Sequence, residues 1–265
     1  MRHIGLAALT VLELPHQEQV SVAAQCGYSH VGLRLVPVAG QPFTHPLALD
    51  QIEQRLADTG VRVLDVEVFR LEAQTRVEDY EPALAASARL KATEILVHGA
   101  DADEARLIDS FGRLCDLAAR HGLAANLEPM PWVAVWNVAG ALRVIQAAGR
   151  ANGGLLVDAI HFFRGGDQPQ ALRAVPKQRL RYMQLCDARA EIPADMPEIM
   201  RQARGDRLLP GEGGLDLHGL MQALPADLPV SLEIPMARPL PARERARLCI
   251  EAARRLLSVQ SPATR

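Results

Sequence analysis

The chain lacks several features that mark common protein classes. It has four cysteines, Cys26, Cys115, Cys186 and Cys249, and none falls in a CxxC pair. Their wide separation fits reduced core thiols, not a disulfide frame or a zinc knot. No apolar run approaches the ~20 residues of a helical membrane span. The opening MRHIGLAALTVLELPHQ is interrupted by Glu13, so it reads as a first strand and not as a signal peptide. A cytoplasmic protein with no membrane partner is expected. The formal net charge of −2 supplies no basic surface, which argues against nucleic acid. No GxGxxG follows the first apolar segment, and the glycine-rich run DRLLPGEGGLD (206–216) is not a Walker A loop, although its glycines have the composition to cradle an anion.

What is present is a set of short apolar runs, each ending in a polar side chain. Four stand out: GLAANLEPMPW (122–132), GLLVDAIHF (154–162), RYMQLCDA (181–188) and LPVSLEIPM (228–236). A few apolar residues, then a polar one, then a loop is the pattern of a buried parallel strand. Similar runs occur at 3–9, 30–36, 61–69 and 94–100. Between them lie helical segments at 16–26, 47–59, 78–90, 103–120, 137–149, 168–174, 216–224 and 241–257, several closed by a glycine such as Gly27 or Gly60. Residues 189–215 form an irregular insertion with one short helix, placed like a lid. Eight strands alternating with about eight helices imply right-handed βαβ units and a closed (β/α)8 TIM barrel, here one domain over 1–265.

If the four runs are neighbours in one sheet, Glu128, Asp158, Gln184 and Glu233 converge at a single rim. Three carboxylates and an amide in a small space are a divalent-cation site, because without a cation the carboxylates repel and take up protons. Side-chain alternation adds Arg34, Glu67 and His98 to the same rim, with Asp65 sharing the parity of Glu67 while Leu64, Val66 and Val68 face the other way. His161 follows Asp158 closely enough to reach the site. Trp132 and Trp136 are candidates for the floor of a sugar pocket, and Arg207 and Glu212 for substrate contacts. Each of these residues has an ordinary structural alternative: an ion-pair partner, a satisfied loop histidine, loop packing.

The motif series NLEP, LLVDAIH, YMQLCD, RLLPGEGGLD and SLEIP, in this order, resembles the xylose isomerase-like barrel superfamily. That group includes sugar and sugar-phosphate isomerases and epimerases, inosose dehydratase and 3-dehydroshikimate dehydratase. The resemblance implies a divalent metal, Mn²⁺ foremost and otherwise Mg²⁺, Co²⁺ or Zn²⁺, on Glu128, Asp158 and Glu233. Gln184 takes a position where many members have histidine, and a glutamine there is similar to some dehydroshikimate dehydratases. His161 matches a D-x-x-H pattern and Arg207 an arginine near a G-x-G-x-x-D loop. Arg34 stands where many members have glutamate, which points to a different substrate, such as one with a carboxylate. Relatives are often homodimers or homotetramers.

The expected chemistry is proton abstraction beside a carbonyl of a small polyhydroxylated substrate, through a metal-stabilised enediolate. Glu128 and Glu233 act as the two bases, giving isomerisation or epimerisation. Loss of a β-hydroxyl, with His161 or His98 as acid, gives dehydration instead. A ligand-binding barrel without catalysis is the remaining reading. The histidine-rich zinc cluster of the endonuclease IV branch is not matched.

Overall fold

The computed structural model describes residues 2–38 and 45–259. Eight parallel strands close into one barrel in sequence order: β1 (Ile4–Leu6), β2 (His30–Arg34), β3 (Arg62–Leu71), β4 (Glu94–Gly99), β5 (Ala124–Glu128), β6 (Gly153–Asp158), β7 (Leu180–Leu185) and β8 (Val230–Leu232). The expected (β/α)8 barrel is therefore the fold. Nine described α-helices accompany the strands: α1 (His16–Cys26), α2 (Leu49–Thr59), α3 (Glu81–Arg89), α4 (Glu104–Arg120), α5 (Val138–Ala148), α6 (Ala159–Arg164), α7 (Met196–Gly205), α8 (Leu217–Ala223) and α9 (Ala242–Val259). None is long and apolar enough to cross a membrane. Part of the loop expected over 37–46 lies outside the described residues.

Helix α4 shows why these segments fold as they do. Asp103 caps it by accepting a 3.1 Å hydrogen bond from the Arg106 N–H. Leu107, Phe111, Leu114 and Ala118 recur on one face and are buried in the large cluster between helices and sheet. Gly122, at φ 71°, turns the chain into β5.

The barrel interior is a separate, smaller cluster of Leu64, Val68, Leu96, Leu156 and Tyr182. In β4, β6 and β7 a polar side chain follows an interior residue two positions later: His98 after Leu96, Asp158 after Leu156, Gln184 after Tyr182. Strand β3 departs from the expected alternation, since Leu64 and Val68 face the interior. Val31 and Leu33 of β2 pair with Val63 and Val66, and Val66 and Phe69 pair with Ile95 and Val97 of β4. One extra residue in β3 against each neighbour bends the strand and re-aims its side chains.

Two boundaries and the role of one loop differ from the sequence reading. Strand β1 stops at Leu6, because Ala8–Val11 turn into a 3-10 segment. There Thr10 donates to the Leu232 carbonyl at 2.7 Å and accepts from the Ile234 N–H at 2.8 Å, tying the chain start to β8. After β6 the helix begins at once: α6 occupies Ala159–Arg164, and Pro169–Ala174 are a 3-10 segment. The cause is Asp158, whose carboxylate caps α6. Finally, the glycine-rich run after α7 does hold an anion, but it is the chain's own. Asp187 accepts from the N–H groups of Gly211 and Gly213, both at 3.0 Å, and of Leu215 at 3.2 Å.

Candidate active site

The C-terminal ends of the strands form a pocket lined by Arg34, Glu67, His98, Glu128, Trp132, His161, Arg207 and Glu233. Eight residues singled out by the sequence thus meet in one place. Asp158 and Gln184 are fully buried beneath it, at 1% and 0% exposure. Glu212 is exposed and Trp136 is 52% exposed, and neither is among the pocket-lining residues.

Each acid has a defined partner. Glu128, at the end of β5, bonds His98 of β4 through Nε2 at 2.7 Å. Asp158 Oδ1 accepts from the His161 N–H at 3.1 Å. Glu233 Oε1 accepts from Gln184 Nε2 at 2.9 Å. Glu67 takes both Nε and Nη2 of Arg34 on one oxygen, at 2.9 and 2.6 Å. Arg207, which the sequence suggested for substrate contact, is 2% exposed and serves the acids themselves. It reaches Asp158 Oδ2 at 2.6 Å and Glu233 Oε2 at 2.7 Å, and its Nε donates to the Ala203 carbonyl at 2.7 Å. The backbone of Asp187 pairs with that of Leu208, the residue after Arg207.

Burial raises the Glu128 carboxyl well above its ordinary range, and the nearby Asp158 and Glu233 charges add to the effect. Burial likewise pushes Glu233 up to about 8, against the pull of Arg207. At Asp158 burial also disfavours the charge, but Arg207 and the neighbouring His161 more than offset it, so the carboxyl sits below its usual range. His161 is brought down to about 4, first by burial and then by Arg207 and Arg204, so its imidazole is neutral. Burial keeps His98 neutral as well.

These groups fit a divalent cation. One ligand atom each from Glu128, Asp158 and His161 lie within 4.8 Å of one another, and all three residues are buried. Gln184 Oε1 and His161 Nδ1 are buried polar atoms without a hydrogen-bond partner. Acids that resist joint ionisation, a neutral imidazole and an orphaned amide oxygen are the conditions that a hard or borderline cation relieves. The compact trio differs from the four strand-end ligands inferred from sequence, because Asp158 starts a helix that brings His161 alongside it. Gln184 and Glu233 adjoin the trio as a hydrogen-bonded pair.

Above the acids the pocket is aromatic and basic. The Trp132 ring meets the His161 ring edge-on at 4.9 Å, and the Arg204 guanidinium lies 5.8 Å from the Trp132 centroid. Arg204 and Arg70 also line the pocket, and sequence reasoning missed both. Arg204 sits at the end of the helix inside the insertion, where no strand pattern pointed to it. The only available signal was its place three residues before Arg207.

The model of one family, described as the xylose isomerase-like TIM barrel, matches residues 20–256. The chain belongs to that family. Two similar curated proteins are both named 3-dehydroshikimate dehydratase. The one from Pseudomonas aeruginosa is 28% identical over 204 residues, covering 69% of this chain and 31% of the relative. The one from Pseudomonas putida is 25% identical over 245 residues, covering 82% and 35%. The chain therefore spans about a third of the length of the relatives it matches. Among solved structures, a xylose isomerase-like TIM barrel/4-hydroxyphenylpyruvate dioxygenase fusion protein superposes with a TM-score of 0.80 at 22% identity, covering 95% of this chain and 42% of that one. The IOLI protein with a bound zinc atom gives 0.79 at 18% identity, covering 98% and 99%. A D-allulose 3-epimerase from Methylomonas sp. gives 0.72 at 17% identity, covering 96% and 97%. These structures share the fold of this xylose isomerase-like barrel, and their range of names shows that the fold alone does not choose the reaction.

Proposed function

We propose that this barrel is a divalent-cation-dependent dehydratase acting on a hydroxylated cyclic ketone of the 3-dehydroshikimate kind. The observation that carries the reading is the 2.7 Å bond between Glu128 and His98, which sets a buried base against an imidazole inside the pocket. The names of both curated relatives support it. The sequence alone ranks isomerisation and epimerisation ahead of dehydration, and the relatives reverse that order.

Dehydration requires removal of the proton beside the carbonyl and protonation of the hydroxyl on the next carbon. Glu128 takes the proton, and the electron pair of the broken C–H bond moves toward the carbonyl oxygen. His98 accepts the proton from Glu128. The electron pair then returns to expel the hydroxyl, which leaves as water with the proton from His98. Glu233 is held by Gln184 and Arg207 on the opposite wall and fixes the neighbouring hydroxyl. Glu128, Asp158 and His161, with Gln184 and Glu233 beside them, would hold a divalent cation, which would supply Lewis acidity and keep these carboxylates ionised. Trp132 shields the ring from water.

The test is incubation of the purified protein with 3-dehydroshikimate and Mn²⁺ in D₂O. The reading expects loss of water and the ultraviolet absorbance of a dihydroxybenzoate, both stopped by a chelator. Deuterium uptake without water loss would move the assignment to an isomerase or epimerase. No uptake on any carbonyl substrate would leave a ligand-binding barrel.

A further inference from the structure

We propose that Arg204, on the insertion helix α7, is the specificity-determining residue that binds the carboxylate of an anionic substrate. The proposal rests on the dehydratase reading for the rest of the ligand, a six-membered ring with a ketone and hydroxyl groups.

Four arginines line the pocket, and three have carboxylates of their own. Arg207 is buried against Asp158 and Glu233. Arg34 is paired with the buried Glu67 at 2.6 Å. Arg70 places Nε and Nη2 on Glu72 at 3.0 and 2.7 Å. Arg204 forms no ion pair among the described residues and instead lies over the Trp132 ring. The carboxylate-binding role that the sequence suggested for Arg34 thus passes to another arginine that lines the pocket.

The placement suits a carboxylated ring. The distances of 5.8 Å from guanidinium to Trp132 and 4.9 Å from Trp132 to His161 cap the span from the Arg204 guanidinium to the His161 ring at about 11 Å. A carboxylated six-membered ring bridges such a span with a hydrogen bond at either end. The ring then lies along Trp132, its carboxylate on the arginine fork and its ketone toward Glu128. Stacking on an indole leaves the planar N–H donors of arginine free at the edge, in the geometry that recognises a carboxylate two bonds at a time. Specificity for anionic over neutral ketones therefore resides in the insertion between β7 and β8, outside the acid cluster. A plainer role exists for a cation in the last turn of a helix, compensation of the helix dipole, and it makes a different prediction.

The experiment is calorimetric titration of wild-type protein and of Arg204→Met and Arg204→Lys with 3,4-dihydroxybenzoate, and with the amide of the same compound, in the presence of Mn²⁺. The proposal expects the carboxylate to bind Arg204→Met roughly ten- to a hundredfold more weakly than wild type, the loss of one charge-assisted hydrogen-bonded pair. Arg204→Lys recovers part of the affinity, and the amide binds wild type and Arg204→Met equally. Mn²⁺ affinity stays the same in all three proteins, showing that the acid cluster is intact. Equal carboxylate affinity in wild type and Arg204→Met overturns the proposal, as does failure of the wild type to bind the carboxylate. Binding lost in Arg204→Met, but with no water loss from 3-dehydroshikimate in wild type, overturns the dehydratase reading and leaves the assignment of Arg204 standing.

Discussion

Asp158 accepts a hydrogen bond from the backbone N–H of His161, 3.1 Å away, so one carboxylate both starts helix α6 and fixes the imidazole beside it. The same side chain meets Arg207 through its other oxygen. Helix start, charge pairing and ligand placement depend on one residue.

That dependence separates two substitutions. Asp158→Asn keeps an oxygen for the cap and removes the charge, so cation binding falls while the helix persists. Asp158→Ala loses the cap too and costs about 1 kcal/mol more, the usual value of an N-cap side chain. Urea unfolding of the two variants measures the difference, and equal stabilities would remove the capping role.

Arg207 is the internal counter-charge of the site. In Arg207→Met, Asp158 and Glu233 are left buried beside Glu128 with no cation of the protein's own. Breaking a buried pair in this way costs about 3–5 kcal/mol. Saturating Mn²⁺ should recover part of that loss, because a ligand that binds only the folded state stabilises it. Thermal unfolding with and without Mn²⁺ reads both effects. A cation-independent melting temperature in wild type and variant would contradict the arrangement.

Glu94 gives a pH signature independent of the active site. Burial raises its carboxyl from the ordinary 4.5 to about 7, although Asn126 donates to it at 2.8 Å. Below pH 4.5 it is protonated in both folded and unfolded chains, and its contribution is fully present. Between 4.5 and about 7 only the unfolded chain ionises, so stability falls as pH rises, and above that range the loss is complete. Glu94→Gln removes this slope. The stability of wild type relative to the variant should drop by roughly 2–3 kcal/mol between about pH 5 and about pH 8, at ~1.4 kcal/mol per unit. A constant difference in urea unfolding across that range would contradict it.

The barrel was legible because its strands are uniform. Apolar runs ending in Glu128, Asp158, Gln184 and Glu233 can be recognised one at a time, and their number fixes the closure. What escaped came from places where local rules compete. Strand β3 carries one extra residue against each neighbour, so parity could not predict that Leu64 and Val68 face the interior. The segment after Asp158 is apolar enough to read as more strand, and only the cap made by its side chain turns it into a helix. The glycine-rich run looked like an anion loop because it is one, with Asp187 as the anion. Arg204 carried no signal beyond its place three residues before Arg207, since the insertion has no repeating pattern to place it over Trp132.

The central claim is that Glu128, Asp158, His161, Gln184 and Glu233 form one cation-dependent centre. Titration of metal-free protein with Mn²⁺, for wild type and for the Glu128→Gln/Glu233→Gln double variant, tests it most directly. The account predicts one Mn²⁺ per chain in wild type and loss of that binding in a double variant that remains folded. No binding by the wild type, or equal binding by the double variant, would contradict it.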